Sequence, residues 1–181
     1  MVNESLPQYV WMTGSLRPWN EAMVHVSLLG HATVSGVFEG IRGYQDHRDG
    51  QVYLFRLREH MERLLESMKI VRMDHTFTVD GLCEGLVDLV RANGYRCDVN
   101  ALVLAYYGGL TWSFAQPELH RPVEVAMRCR SINSRLLTDK GIRCCISTWT
   151  RISEADLPPR AKCVSNYHNG RLASMEAQLN G

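Results

Sequence analysis

The order of hydrophobic periodicities along this chain predicts an α+β fold. Three observations carry that expectation. Short alternating runs punctuated by turn residues open the chain and pair as two hairpins, two helical stripes follow, and the remaining alternating runs come after the helices. Strands that alternated singly with helices would instead predict βαβ units and a parallel sheet.

The elements follow in order. Gln8–Trp19 alternates around a Thr-Gly-Ser turn and reads as a β-hairpin. His25–Gly36 is short, apolar and Gly-punctuated, and reads as a helical turn. Val37–Tyr44 and Val52–Phe55 flank a polar segment with an Asp-Gly step and form a second hairpin. Arg58–Met73 is the clearest helix, because Met61, Leu64, Leu65 and Met68 fall at helical spacing and make one apolar stripe. Thr78 can cap a second helix and Gly94 can end it, with Leu82, Leu86, Leu89 and Val90 on one side. Ala101–Gly109, Val123–Ser131 and Gly141–Trp149 are three further strand candidates. Asp156–Lys162 carries Pro158 and Pro159 and reads as irregular. From about Ser165 a last helix sets Leu172, Met175 and Leu179 on one face. The polar stretch Ser131–Arg135 is the best place for a domain boundary.

Composition bounds the function. The chain has 181 residues, 45% hydrophobic and 22% charged, which is enough to bury a core without disulfide staples. A disordered, fibrous or coiled-coil chain is excluded. No apolar run is long enough to span a bilayer, and the N-terminus lacks a basic region followed by a long apolar stretch. The net charge of +1 gives no electrostatic reason to expect nucleic acid or an anionic membrane as partner. The six cysteines contain no Cys-x-x-Cys pair, so no metal site is expected, and reduced thiols in a cytoplasm fit.

One count is sharper. Of 20 cationic side chains, only Lys69, Lys140 and Lys162 are lysines; the rest are arginines. Arginine stays protonated, whereas a lysine whose pKa is lowered can act as an amine nucleophile. Lys69 reads as a solvated helix cation near Glu66, and Lys140 sits in a polar turn. Lys162 has Ala161, Cys163 and Val164 around it. Apolar neighbours favour the free amine, which can form a Schiff base with a carbonyl.

Three blocks, GVFEGIR (Gly36–Arg42), LFRLREHMERLLESMKI (Leu54–Ile70) and PPRAKCVSNYHNGRLASMEA (Pro158–Ala177), occur in that order after an opening WMTGSLRPWNEAMVHV (Trp11–Val26). Together they resemble class IV aminotransferases, in particular branched-chain amino-acid aminotransferases, over essentially the whole chain. The resemblance implies a class IV (D-amino-acid/branched-chain aminotransferase-like) fold that uses pyridoxal 5′-phosphate (PLP). It implies a small N-terminal α+β domain over 1–132, a linker over 133–137, and the beginning of the larger PLP-binding domain over 138–181. Lys162 matches the lysine that holds PLP as a Schiff base and carries the proton. Tyr167 matches the tyrosine that hydrogen-bonds the cofactor's phenolic oxygen, and Arg63 the arginine that takes its phosphate. Phe38 and Gly40 match positions on the substrate side of the pocket. On the residues alone, Arg63 also reads as a helix surface cation and Tyr167 as a core aromatic. Phe38 also reads as core, and Glu39 with Arg42 as an ion pair without chemistry.

The chain departs from the family in two ways. Branched-chain enzymes place a Tyr and an Arg two apart on a strand to hold the substrate carboxylate; Leu102 and Leu104 stand there. Thr33 replaces a tyrosine before the VFEG block, and Met127–Asn133 replaces a Trp-containing segment. The second departure is length. The family's remaining half supplies a glutamate to the pyridine nitrogen and further groups to the phosphate. The expected function is therefore PLP-dependent transformation of an amino acid or amine, transamination first. A C-terminal half from the same or another chain is expected as partner, in a homodimer of completed protomers. A class IV PLP lyase or cyclase is the alternative, and a non-catalytic scaffold subunit the second alternative.

Overall fold

A computed structural model describes residues 6–29, 34–109, 121–132, 141 and 143–181. Six strands, β1 (Tyr9–Met12), β2 (Ser15–Pro18), β3 (Val37–Gln45), β4 (Val52–Leu54), β5 (Val99–Tyr107) and β6 (Val123–Ser131), form one antiparallel sheet. Their order across it is β2-β1-β6-β5-β3-β4. Two helices, α1 (Leu57–Ile70) and α2 (Val79–Ala92), cover one face of this sheet. A third, α3 (His168–Leu179), follows Lys162 after one 3-10 turn. The expected α+β architecture is therefore present, with every β-pairing antiparallel.

Period-two alternation decides which residues enter the core. Val37, Ile41, Val99, Ala101, Val103, Ala105, Val125 and Met127 point to the helices and are buried. They meet Met61, Leu64 and Met68 of α1 and Leu82, Leu86 and Leu89 of α2. The Trp11 indole lies on α2 at Gly85, where a Cβ would stand 2.7 Å from two of its ring atoms. Thr78 caps α2 through its hydroxyl, which accepts from the Gly81 amide at 3.1 Å, and Gly94 reverses the chain with φ +63°. The first hairpin turns at Thr13 and Gly14, both with positive φ. The turn expected at His25–Gly36 contains a 3-10 turn at Val26–Leu28.

Three expectations change. Helix α1 ends at Ile70 rather than Met73, because Arg72 takes a left-handed φ of +60° and the Met73 amide turns back to the Met68 carbonyl at 2.9 Å. The described part of Gly141–Trp149 is not a strand: no neighbour among the described residues offers it a ladder, and Ile146 is fully exposed. Glu176 of α3 holds this segment instead, accepting from the Ser147 hydroxyl and from the Thr148 amide (3.1 Å) and hydroxyl (2.8 Å). These bonds hold the Glu176 carboxyl below the usual carboxylate range. The expected apolar face of α3 is largely open, with Leu172 half-buried and Met175 and Leu179 exposed. The expected linker, Lys140 and Thr33 lie outside the described residues. Among the described residues no helix is long and apolar enough to cross a membrane.

Candidate active site

Lys162 is tied to the sheet by its backbone. The Phe38 amide donates to the Lys162 carbonyl at 2.9 Å, and the Val164 amide to the Gly36 carbonyl at 2.8 Å. Between them Val37 and Cys163 make an antiparallel bridge. The Lys162 amide donates to the hydroxyl of Ser67, a buried residue of α1, at 3.1 Å. Ala161 and Cys163 enter the core on either side, so alternation turns the Lys162 side chain away from it. Asn166 closes the preceding turn, donating to the carbonyls of Pro158 (3.2 Å) and Ala161 (2.9 Å). Burial raises the Cys163 thiol, which stays protonated and adds no charge beside the lysine.

The amine stands in an aromatic corner. Lys162 Nζ donates to Tyr167 Oη at 2.9 Å and lies 5.0 Å from the Phe38 ring centroid and 5.3 Å from that of Tyr167. The two rings meet edge to face, with centroids 5.0 Å apart. Tyr167 is 43% exposed, so its ring borders open space rather than filling core.

Arg63 projects from α1 toward the first residues of β3. Its Nε and Nη2 donate to the two carboxylate oxygens of Glu39, each at 2.6 Å. His60, one helical turn earlier, meets the same carboxylate through Nδ1 at 2.9 Å. Glu39 is fully buried on the helix-facing side of β3, while the Arg63 side chain remains 52% exposed. The bonds to Glu39 raise the guanidinium pKa further, so its charge is permanent. Arg42 lies on the opposite side of β3 by parity, which corrects the expected Glu39–Arg42 pairing. The Glu39 partners of Arg63 and the Ser67 anchor of Lys162 are what sequence reasoning missed. Glu39 has the parity of the buried Val37 and Ile41, which is the signal that it faces the core.

The outer sheet face extends from this corner. Phe38 pairs with Leu104 and Gly40 with Leu102; Leu104 pairs in turn with Ala126 and Leu102 with Arg128. A Cβ on Gly40 would meet nothing within 4 Å, so the space above it is clear. An apolar cavity of about 340 Å³ continues across the face, walled by Val10, Met12, Trp19, Leu102 and Leu104, with Arg128 as its cation. A larger cavity of about 740 Å³ lies between Trp11, His75, Phe77 and Gly85, and Lys162 does not line it. Chemistry, rather than size, selects the corner at Phe38: an amine and a phenol meet there, and the permanently charged Arg63 guanidinium feels the same phenol. Those three groups suit a cofactor with an aldehyde, a phenolic oxygen and a phosphate. Among the described residues Arg63 Nη1 has no partner, which leaves an N–H edge for an anion.

Comparison with known proteins gives the class. The family profile described as amino-transferase class IV matches residues 36–181, and the chain belongs to that family. Class IV aminotransferases are PLP-dependent enzymes. A probable branched-chain-amino-acid aminotransferase from Aquifex aeolicus is 30% identical over 175 residues, 96% of this chain and 55% of its own length. The branched-chain-amino-acid aminotransferase of Salmonella typhimurium is 32% identical over 177 residues, 96% of this chain and 56% of its own. Among solved structures, the PLP form of the Thermobaculum terrenum branched-chain amino acid aminotransferase superimposes with a TM-score of 0.88 at 45% identity, covering 97% of this chain and 57% of that one. The branched-chain aminotransferase of the archaeon Thermoproteus uzoniensis, solved with norvaline, gives 0.85 at 34% identity, covering 97% and 57%. The chain thus spans just over half the length of these relatives.

Proposed function

We propose that this chain carries the lysine half of a PLP-dependent transaminase acting on an amino acid or amine with a keto acid as acceptor. One observation carries the reading: the Lys162 amine, anchored by its backbone to β3 and α1, meets the Tyr167 phenol beside the Phe38 ring. Bound PLP supplies an electron sink for breaking bonds at the substrate carbon. Lys162 Nζ would hold the cofactor at its aldehyde carbon, and as a free amine would accept and return a proton at the substrate carbon. The Tyr167 hydroxyl holds Nζ in place and is the donor for the cofactor's phenolic oxygen. Arg63 takes the phosphate through its outward N–H edge. Phe38 forms the apolar wall beside Nζ, and Gly40 leaves clearance for substrate.

In this reading residues 1–132 are the small domain, 133–137 the linker and 138–181 the beginning of the cofactor domain. The remainder of the site comes from a C-terminal half on the same or a second polypeptide, in a cytoplasmic homodimer of completed protomers. The apolar pair Leu102 and Leu104, where branched-chain enzymes have their carboxylate grip, supports a second reading, a class IV PLP lyase or cyclase.

The test is an absorption spectrum of the natively purified protein, with intact mass on every polypeptide present. A visible band lost on borohydride reduction, with PLP mass on the Lys162 peptide and no band in Lys162→Ala, is the expected result. No bound cofactor with the partner polypeptide present leaves only the scaffold reading. Dependence of product on an added keto acid separates transamination from lyase or cyclase chemistry.

A further inference from the structure

Glu39 is a fully buried carboxylate on a strand whose neighbouring inward residues are Val37 and Ile41. Burying a carboxylate is expensive, and an apolar pair of similar volume would serve packing as well or better. The ion pair therefore does more than fill core. Its geometry is fork to fork: both Glu39 oxygens accept from Arg63 at 2.6 Å, and His60 Nδ1 meets Oε2 at 2.9 Å. A half-exposed arginine on a helix surface would otherwise sample many rotamers. Here the guanidinium plane is fixed from its buried edge, and Nη1 is left on the opposite edge.

We propose that Glu39, backed by His60, is a positioning residue. It clamps the Arg63 guanidinium so that its free edge is presented to the phosphate of the cofactor. The proposal rests on the reading that Arg63 takes that phosphate. Its sign is informative. As a nearby negative charge, Glu39 weakens the attraction of any anion to Arg63; as a clamp, it strengthens binding by removing the need to order the side chain. The two effects predict opposite outcomes when the charge is removed.

The experiment compares equilibrium binding of PLP and of pyridoxal, which lacks the phosphate, to the purified protein with every polypeptide that copurifies with it. The preference for PLP, taken as the ratio of the pyridoxal to the PLP dissociation constant, isolates the contribution of the phosphate and is insensitive to a general loss of stability. Glu39→Gln keeps the volume but turns an amide N–H toward the guanidinium. It is expected to lower that ratio about 10- to 100-fold, the scale of a charge-assisted hydrogen bond, while pyridoxal binding is retained. Arg63→Met sets the floor. A wild-type ratio in Arg63→Met would refute the phosphate reading itself. A floor value there, with a wild-type or raised ratio in Glu39→Gln, overturns the positioning role alone. If Glu39→Gln does not fold, Glu39→Asp keeps the charge but shortens the arm; a ratio between wild type and floor supports the clamp, and a wild-type ratio overturns it.

Discussion

Replacing Ser67 by alanine tests how Lys162 is held. The Ser67 hydroxyl accepts from the Lys162 amide at 3.1 Å, and Ser67 is 1% exposed, so water does not take its place without local opening. An orphaned, desolvated amide costs about 1–3 kcal/mol. Against this, alanine gains about 0.5 kcal/mol of helix propensity over serine in the middle of α1. The orphaned amide wins, and the net loss is about 0.5–2.5 kcal/mol. Urea denaturation followed by circular dichroism measures it. Amide hydrogen exchange at Lys162 locates it, since protection there is expected to fall while that of the β5–β6 ladder is kept. A variant as stable as wild type, with Lys162 exchange unchanged, would refute the claim that this bond anchors the lysine.

Three further outcomes are expected. Gly85→Ala drives a Cβ to 2.7 Å from the Trp11 indole, and overlap of about 1–3 kcal/mol exceeds the gain of about 1 kcal/mol in helix propensity. The protein therefore melts lower, whereas Gly170→Ala, in open space on α3, melts higher by the propensity gain alone. Tyr167→Phe, on a half-exposed ring, leaves the melting temperature unchanged but, under the proposed transaminase reading, slows keto-acid-dependent product formation about 10- to 100-fold; an unchanged rate removes the phenol from the chemistry. Burial pushes the Cys129 thiol from 9.0 up to about 12, so its contribution to stability is complete below about pH 9 and is lost as pH rises through about 12. Iodoacetamide should accordingly label exposed Cys144 and Cys145 at mildly alkaline pH and spare Cys129, as peptide mass mapping would read out.

Much of the architecture was legible because local rules dominate it. The stripe of Met61, Leu64 and Met68, the Thr78 cap and the Gly94 stop each act within a few residues. Gly141–Trp149 misled because alternation describes a half-buried surface only when a neighbouring strand exists, and Glu176 supplies the bonds instead. Lys162, Tyr167 and Arg63 were singled out from lysine scarcity and family resemblance. Their supports were harder to see. Ser67 and Lys162 are 95 residues apart, and that bond depends on where α1 crosses the end of β3. Glu39 carried a readable parity, but a carboxylate inside a core is rare enough that pairing with the nearest arginine in sequence looked simpler.

The backbone attachment of Lys162 to the edge of β3 has a kinematic consequence. Two hydrogen bonds, which together form one antiparallel bridge, join residues 162–164 to residues 36–38, while the aromatic wall beside the amine is itself residue 38. The Lys162 backbone and the wall therefore move as one unit, and rocking of the sheet carries both together. Thermal motion of anything that packs over the outer face leaves the spacing of these two backbone segments fixed. The Lys162 backbone is in this sense referenced to the sheet, and the Tyr167 hydroxyl ties the amine at its tip to the start of the helix that follows.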